Sequence, residues 1–263
     1  MSNHIEVSEL RRMHVFVIAW LVAAGVIYLF GQADRTFLTF ASNIISPASA
    51  LLPASYGLAL LGRYTPNLKD RFARIWLCLT VGLWLWLLGE ITWSIYTLVL
   101  SVSIPYPSAA DLFWIAGYVP LAAAMFLYLL PYGEALSLKK AVIVTAVGLL
   151  ADVGIFAVLV GPILSLGVDP LEQFFDLAYP VLDLALLGIA ISGLLIFLPG
   201  KISRFWLWLN LGFICMAIAD LLFSYLSALD LYYDGSPLEL FYFLGDAAML
   251  LALYHHKEVL EGR

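Results

Sequence analysis

Apolar runs of about twenty residues follow one another along this chain, parted only by short polar breaks. Few folds can accommodate such runs. Wound as a helix at about 1.5 Å per residue, each spans the roughly 30 Å hydrocarbon core of a bilayer and satisfies its backbone polar groups internally. The runs lie near residues 13–31, 44–62, 73–100, 108–130, 140–164, 170–198, 204–229 and 237–255. Composition agrees: 12% of the residues are charged and 63% hydrophobic, whereas water-soluble domains carry about 25% charged residues. The expected fold is all-α, an integral membrane protein with eight transmembrane helices in a single domain, 1–263. Arg11 and Arg12 before the first run resemble a signal peptide. That run is too long and lacks a small-residue cleavage site, so a retained first span is expected.

Lysine and arginine set the orientation. With the N-terminus cytoplasmic, the inner side holds Arg11, Arg12, Arg63, Lys69, Arg71, Arg74, Lys139, Lys140, Lys201, Arg204, Lys257 and Arg263. The outer side keeps only Arg35. A multi-pass cell-membrane protein with both termini cytoplasmic follows. The longest loops, about 31–43 and 63–72, have room only for a short interfacial helix. A net charge of −6 is no signature of nucleic-acid binding. Cys78 and Cys215 lie in apolar runs, which argues against a disulfide framework or a cysteine metal site.

One eleven-residue pattern recurs, beginning at Ser108, Asp169 and Ser236. Each copy opens on a helix-capping residue and places a carboxylate three positions later: Asp111, Glu172 and Glu239. This is the capping-box arrangement, with Pro170 and Pro237 at the tolerant first helical position. A weaker fourth copy starts at Ser46-Pro47 and lacks the acid. The spacing fits a pair of membrane helices per repeat. The expected architecture is therefore four parallel helical hairpins, about 13–62, 73–130, 140–198 and 204–255, related by an axis along the membrane normal. Capping is the simpler role for the three acids, with a place at a cavity mouth as the alternative.

A second regularity concerns acids within the spans. Glu90 lies 18 residues before Ser108, Asp152 lies 17 before Asp169, and Asp220 lies 16 before Ser236. Each falls about ten residues below the outer end of a rising helix, roughly 15 Å deep. The eleventh positions of the repeats, Tyr118, Tyr179 and Asp246, reach a similar depth on the descending helices. Asp176, Tyr179 and Asp183 share one helix face. A charge at the bilayer centre costs at least about 2.5–3.5 kcal/mol, and no lysine or arginine lies deep in a span. Two readings stay open. The acids are neutral staples hydrogen-bonded to tyrosines, or they line an outward-facing acidic and aromatic pocket for a small-molecule, lipid or cation ligand.

The aromatics after the capping acids, including Trp114, Phe241 and Tyr242, are expected to form an interfacial belt. Trp84, Trp86, Trp93, Trp206 and Trp208 suit lipid anchors or core. His255 and His256 are expected as a snorkelling pair at the inner end. No HExxH, GxSxG, P-loop or dinucleotide-binding fingerprint is present, so neither enzymatic activity nor a cofactor is expected. No lysine sits in the last spans to form a retinal Schiff base.

Three segments, Gly89-Glu90-Ile91-Thr92-Trp93, Pro107 to Tyr118, and Asp176-Leu177-Ala178-Tyr179-Pro180-Val181-Leu182-Asp183, resemble the multi-helix membrane sensory regions that precede prokaryotic histidine-kinase or diguanylate-cyclase output domains. The resemblance covers about residues 80–255. It implies perception of a membrane or extracellular signal. Only Lys257 to Arg263 follow His256, so the expectation is a module that signals through a separate or missing cytoplasmic partner. A proton- or cation-coupled transporter or channel is the alternative use of the same carboxylates, and an intramembrane enzyme acting on lipid is a third.

Overall fold

The computed structural model of the chain describes residues 2–64, 69–102, 104–135, 169–198 and 200–261, with a few isolated positions between 136 and 146. The described residues are helical, without a strand among them. The long helices are α1 (Ser2–Gly31), α2 (Arg35–Tyr64), α3 (Arg71–Ser94), α4 (Ala109–Leu129), α5 (Pro170–Phe197), α6 (Ser203–Ala228) and α7 (Glu239–Leu260). A π-helical turn, Ile95–Leu100, extends α3, and a 3₁₀ turn, Leu130–Ala135, follows α4. The expected span at 140–164, with Asp152, lies outside the described residues.

Six of these helices, α1 to α6, are long and apolar enough to cross a membrane, as in a multi-pass membrane protein. The seventh, α7, falls short on hydropathy because Glu239, Asp246, His255 and His256 interrupt it. Its surroundings explain how it tolerates them. Every residue from Gly245 to His256 is buried, so α7 is packed by protein on all sides.

The helices pack as a closed ring: α2 on α3, α3 on α4, α4 on α5, α5 on α6, α6 on α7, and α7 back on α2. Helix α1 lies outside the ring against α2 and α7. Neighbours run antiparallel with two exceptions. Gly57 of α2 lies beside Leu253 of α7, and Arg63 beside Glu261, so α2 and α7 run in the same direction. Tyr118 of α4 meets Asp183 of α5, and Asp111 meets Tyr179, so α4 and α5 run in the same direction. Helices α1, α3 and α6 finish, and α2, α4, α5 and α7 begin, at what is here called the loop end of the bundle. The opposite end carries Arg63, Lys69, Arg71, Arg74, Lys201, Arg204 and Lys257, with Arg63 reaching Glu261 at 3.4 Å. Arg35 sits at the loop end, its guanidinium 3.6 Å from the Tyr233 ring centroid.

Close helix contacts are made at glycines. A methyl on Gly82 would stand 3.0 Å from the Gly117 carbonyl oxygen, and one on Gly212 would stand 3.3 Å from that of Gly245. Without Cβ atoms the backbones approach closely, the usual device for packing helices that gain little from hydrophobicity in lipid. The α3–α4 and α6–α7 pairs share a register. Trp86, four residues after Gly82, covers Gly117; Met216, four after Gly212, covers Gly245.

Two expectations about helix starts are corrected. Helix α2 begins at Arg35 rather than near 44, and the polar break is only Gln32–Asp34. Asp34 caps it by accepting from the Phe37 amide at 3.1 Å. Thr39, Ser42 and Asn43 read as loop residues because they are polar, yet Ser42 and Asn43 are buried in the protein interior. Ser46 therefore lies within α2 and caps nothing, and the suggested fourth copy of the repeat falls. Pro47 and Pro53 lie inside the same helix, where neighbouring helices and local adjustments offset the lost amide donors.

Candidate functional site

The capping pattern forms fully once. Ser108 accepts from the Ala110 amide, while Asp111 Oδ2 accepts from the Ser108 amide at 2.6 Å. Asp169 caps α5 by accepting from the Leu171 amide at 2.8 Å, with Pro170 next. Both Asp169 and the half-exposed Glu172 stand away from the cavity described below. At the third copy the start slips, with Leu238 at the cap position and Ser236 upstream of it. Glu239 reaches back to the Gly235 amide at 2.7 Å instead. Gly235 holds φ at +83°, a value glycine adopts without strain, and this bends the loop over Leu38.

The starts of α4 and α7, the α3 and α6 ends and Tyr179, further along α5, surround a cavity of about 1010 Å³, its open mouth included. All six ring helices contribute to it. Among the described residues its carboxylates are Glu90, Asp111, Asp220, Asp234, Glu239 and Asp246, and no lysine, arginine or histidine joins them. Of the expected pocket residues, Glu90, Asp220, Asp246, Tyr118 and Tyr179 line it. The capping acids Asp111 and Glu239 line it as well.

Most of these acids are supplied with donors. Asp220 accepts from Tyr242 at 2.6 Å and from Tyr118 at 3.2 Å. Asp111 accepts from Tyr179 at 2.8 Å on its second oxygen. Glu239 accepts from Tyr28 at 2.5 Å, from Tyr232 at 3.1 Å and from the Gly235 amide. Asp234 accepts from the Trp93 indole at 3.2 Å, from Asn43 at 2.9 Å and from Thr97 at 3.5 Å. Carboxylates given two or three donors are held in place and partly compensated for lost hydration. Burial, with Glu239 alongside, pushes the Tyr232 phenol well above its ordinary range, so it stays a donor. Burial and the Asp176 contact do the same for Tyr106.

Glu90 and Asp246 are served differently. Asp246 is 7% exposed and receives no hydrogen bond among the described residues, and Glu90 is the charged group facing it. The Trp114 side chain is turned toward Glu90. Asp183 and Asp176 stand behind the cavity wall rather than in it. Asp183 accepts from Tyr118 at 2.6 Å and Asp176 from Tyr106 at 2.7 Å, each tying α5 to the α4 side of the ring.

Several aromatics are not where the sequence suggested. Trp114 and Tyr242 turn into the cavity rather than forming an interfacial belt, and Trp86 and Trp93 join them. The Trp93 ring lies 5.9 Å from Trp114, 5.9 Å from Phe223 and 6.3 Å from Tyr232 between centroids, forming an aromatic cluster. His255 and His256 do not snorkel; they are 5% and 1% exposed. His256 pairs with the Tyr128 hydroxyl at 3.0 Å and packs among Trp76 and Phe205. They can be buried because α7 is enclosed at its polar end as well as along its length.

Sequence reasoning missed Asp234, Tyr28 and Asn43. Asp234 sits in a loop without helical register. Tyr28 and Asn43 lie on helices outside the acid repeat, so no spacing rule points to them.

Between the cavity floor and the basic end lies an apolar layer that includes Leu83, Leu121, Phe213, Met249 and Leu253. Fold and site together define a multi-pass helical bundle of membrane type with a polar, acidic cavity on the loop-end side of this layer. Comparison of the chain with protein families, curated proteins and solved structures finds no match.

Proposed function

We propose that this chain is a membrane sensory or ligand-binding module whose ligand enters the acidic, aromatic cavity from the outer side. The observation that carries this reading is the convergence of all six ring helices on that cavity. A ligand there touches every ring helix, so it can bias their arrangement and pass a signal to a cytoplasmic partner. The apolar layer beneath the floor favours binding over conduction, because a permeating ion would lose its polar partners there.

The reading includes eight spans in parallel hairpins. The parallel run of α4 and α5 supports an odd number of crossings between them, and α7 is shielded enough to span despite its polar residues. The shared glycine register of the α3–α4 and α6–α7 pairs supports the repeat, with Glu90 and Asp220 each eight residues beyond the contact glycine. The basic asymmetry supports placing the loop end outside and both termini in the cytoplasm. The chain's own acids would be used without a cofactor or catalysis.

Reconstitution separates this reading from a transporter. The chain in nanodiscs should bind a small-molecule ligand, and the same protein in liposomes should pass no sodium or proton current. Steady flux that is lost on replacing Glu90 or Asp220 would sink the sensor reading.

A further inference from the structure

Resting on the ligand-binding reading, we propose that the cavity takes an organic cation, an ammonium group carried on an apolar body, with Asp246 and Glu90 as its counter-ions and the Trp93 cluster as its aromatic wall.

The sign of the ligand comes from the lining, which among the described residues has six carboxylates and no basic side chain. The donor pattern then sorts these acids. Asp111, Asp220, Asp234 and Glu239 are occupied by phenols, amides and an indole, whereas Asp246 is buried, aimed into the cavity and without a hydrogen-bond partner among the described residues. A carboxyl group left so placed is costly unless something positive or donor-rich completes it. Glu90 faces it from α3, so a cation between them would bridge α3 and α7, the two helices that flank α2 in the ring.

The chemistry of the walls argues for an organic rather than a metal ion. A metal needs several oxygen or nitrogen ligands converging at about 2.0–2.6 Å, and no group of three or more acids, histidines or cysteines among the described residues is placed to hold one. Instead Trp93, Trp114, Phe223 and Tyr232 line the same cavity as one cluster. Aromatic faces attract a diffuse ammonium charge and also accept apolar substituents, as in aromatic cages for quaternary ammonium groups. The aromatic and apolar share of the lining would go unused by a hydrated inorganic ion.

The test uses the full chain in lipid nanodiscs with benzyltrimethylammonium as the probe. Benzyl alcohol serves as a neutral comparison, and sodium and magnesium chloride as inorganic competitors. Calorimetry should show one saturable site for benzyltrimethylammonium, with quenching of tryptophan fluorescence and weak competition by either salt at matched ionic strength. Asp246→Asn and Glu90→Gln should each weaken binding by about tenfold or more, and Trp93→Leu should weaken it without affecting the salt competition. Helical circular dichroism and a single gel-filtration peak establish that each variant is folded. If Asp246→Asn fails that check, Glu90→Gln decides. Unchanged affinity in a folded acid variant, equal binding of benzyl alcohol, stronger binding of magnesium, or no binding of benzyltrimethylammonium each overturns the organic-cation inference. The underlying reading is tested separately: benzyl alcohol bound in the cavity with Trp93 quenched would leave it standing, whereas ion flux through liposomes would remove it.

Discussion

The Tyr118 hydroxyl lies 2.6 Å from Asp183, a link from α4 to its parallel neighbour α5 at a level where neither helix has a lysine or arginine. The same hydroxyl is 3.2 Å from Asp220 on α6, and its single hydrogen can serve only one of the two acids at a time. Tyr118 thus joins three of the six ring helices at one oxygen.

Removing that oxygen should loosen the ring. Tyr118→Phe is expected to cost about 1–3 kcal/mol, because Asp183 loses its donor while staying buried. Thermal unfolding in detergent should show a lower midpoint. An unchanged midpoint would mean that water replaces the phenol without loss and that the link is not structural.

Glu239 offers a second test at the cavity mouth. It accepts from two phenols and one amide, so Glu239→Gln places an NH₂ group against donors. The variant should be less stable by about 1–3 kcal/mol, and hydrogen exchange should rise at the start of α7 and in the 229–238 loop. Protection equal to that of the parent chain would show that the mouth does not depend on this carboxylate.

The glycine contacts predict a contrast within one experiment. A methyl on Gly117 would lie 2.4 Å from the Trp86 ring, so Gly117→Ala should destabilise by about 1–3 kcal/mol. A methyl on Gly188 meets nothing within 4 Å, so Gly188→Ala should be neutral or slightly stabilising, as expected where alanine replaces glycine in a helix. Equal effects at the two positions would contradict the close α3–α4 approach.

Topology can be read by labelling. In a background lacking Cys78 and Cys215, cysteines at Val102 and Lys139, both exposed, should react from opposite sides of the membrane. Only the Lys139→Cys protein should need permeabilised cells. Labelling of both from outside would overturn the orientation set by the basic residues.

How much of this was legible in the sequence differs from residue to residue. Apolar run length and capping chemistry are local properties, so the starts of α4 and α5 at Ser108 and Asp169 and the apolar character of six helices could be read directly. The interior positions of Glu90, Asp220, Asp246, Tyr118 and Tyr179 were legible for a related reason. Lipid offers a carboxylate no partner, so depth alone drives it toward protein.

Tertiary structure decided what depth cannot. Whether Trp114 and Tyr242 face lipid or a cavity depends on how helices close into a ring, which spacing along one helix does not specify. The burial of His255 and His256 follows from the enclosure of α7, and the polar start of α2 is helical because Ser42 and Asn43 have an interior to face. Most of all, the sequence treats its acids alike, whereas the fold brings donors from distant segments to Asp111, Asp220, Asp234 and Glu239 and, among the described residues, leaves Asp246 without one. Hydrogen bonding reaches only about 3 Å, so which carboxyl group stays open for a ligand is settled by the meeting of residues far apart in the chain.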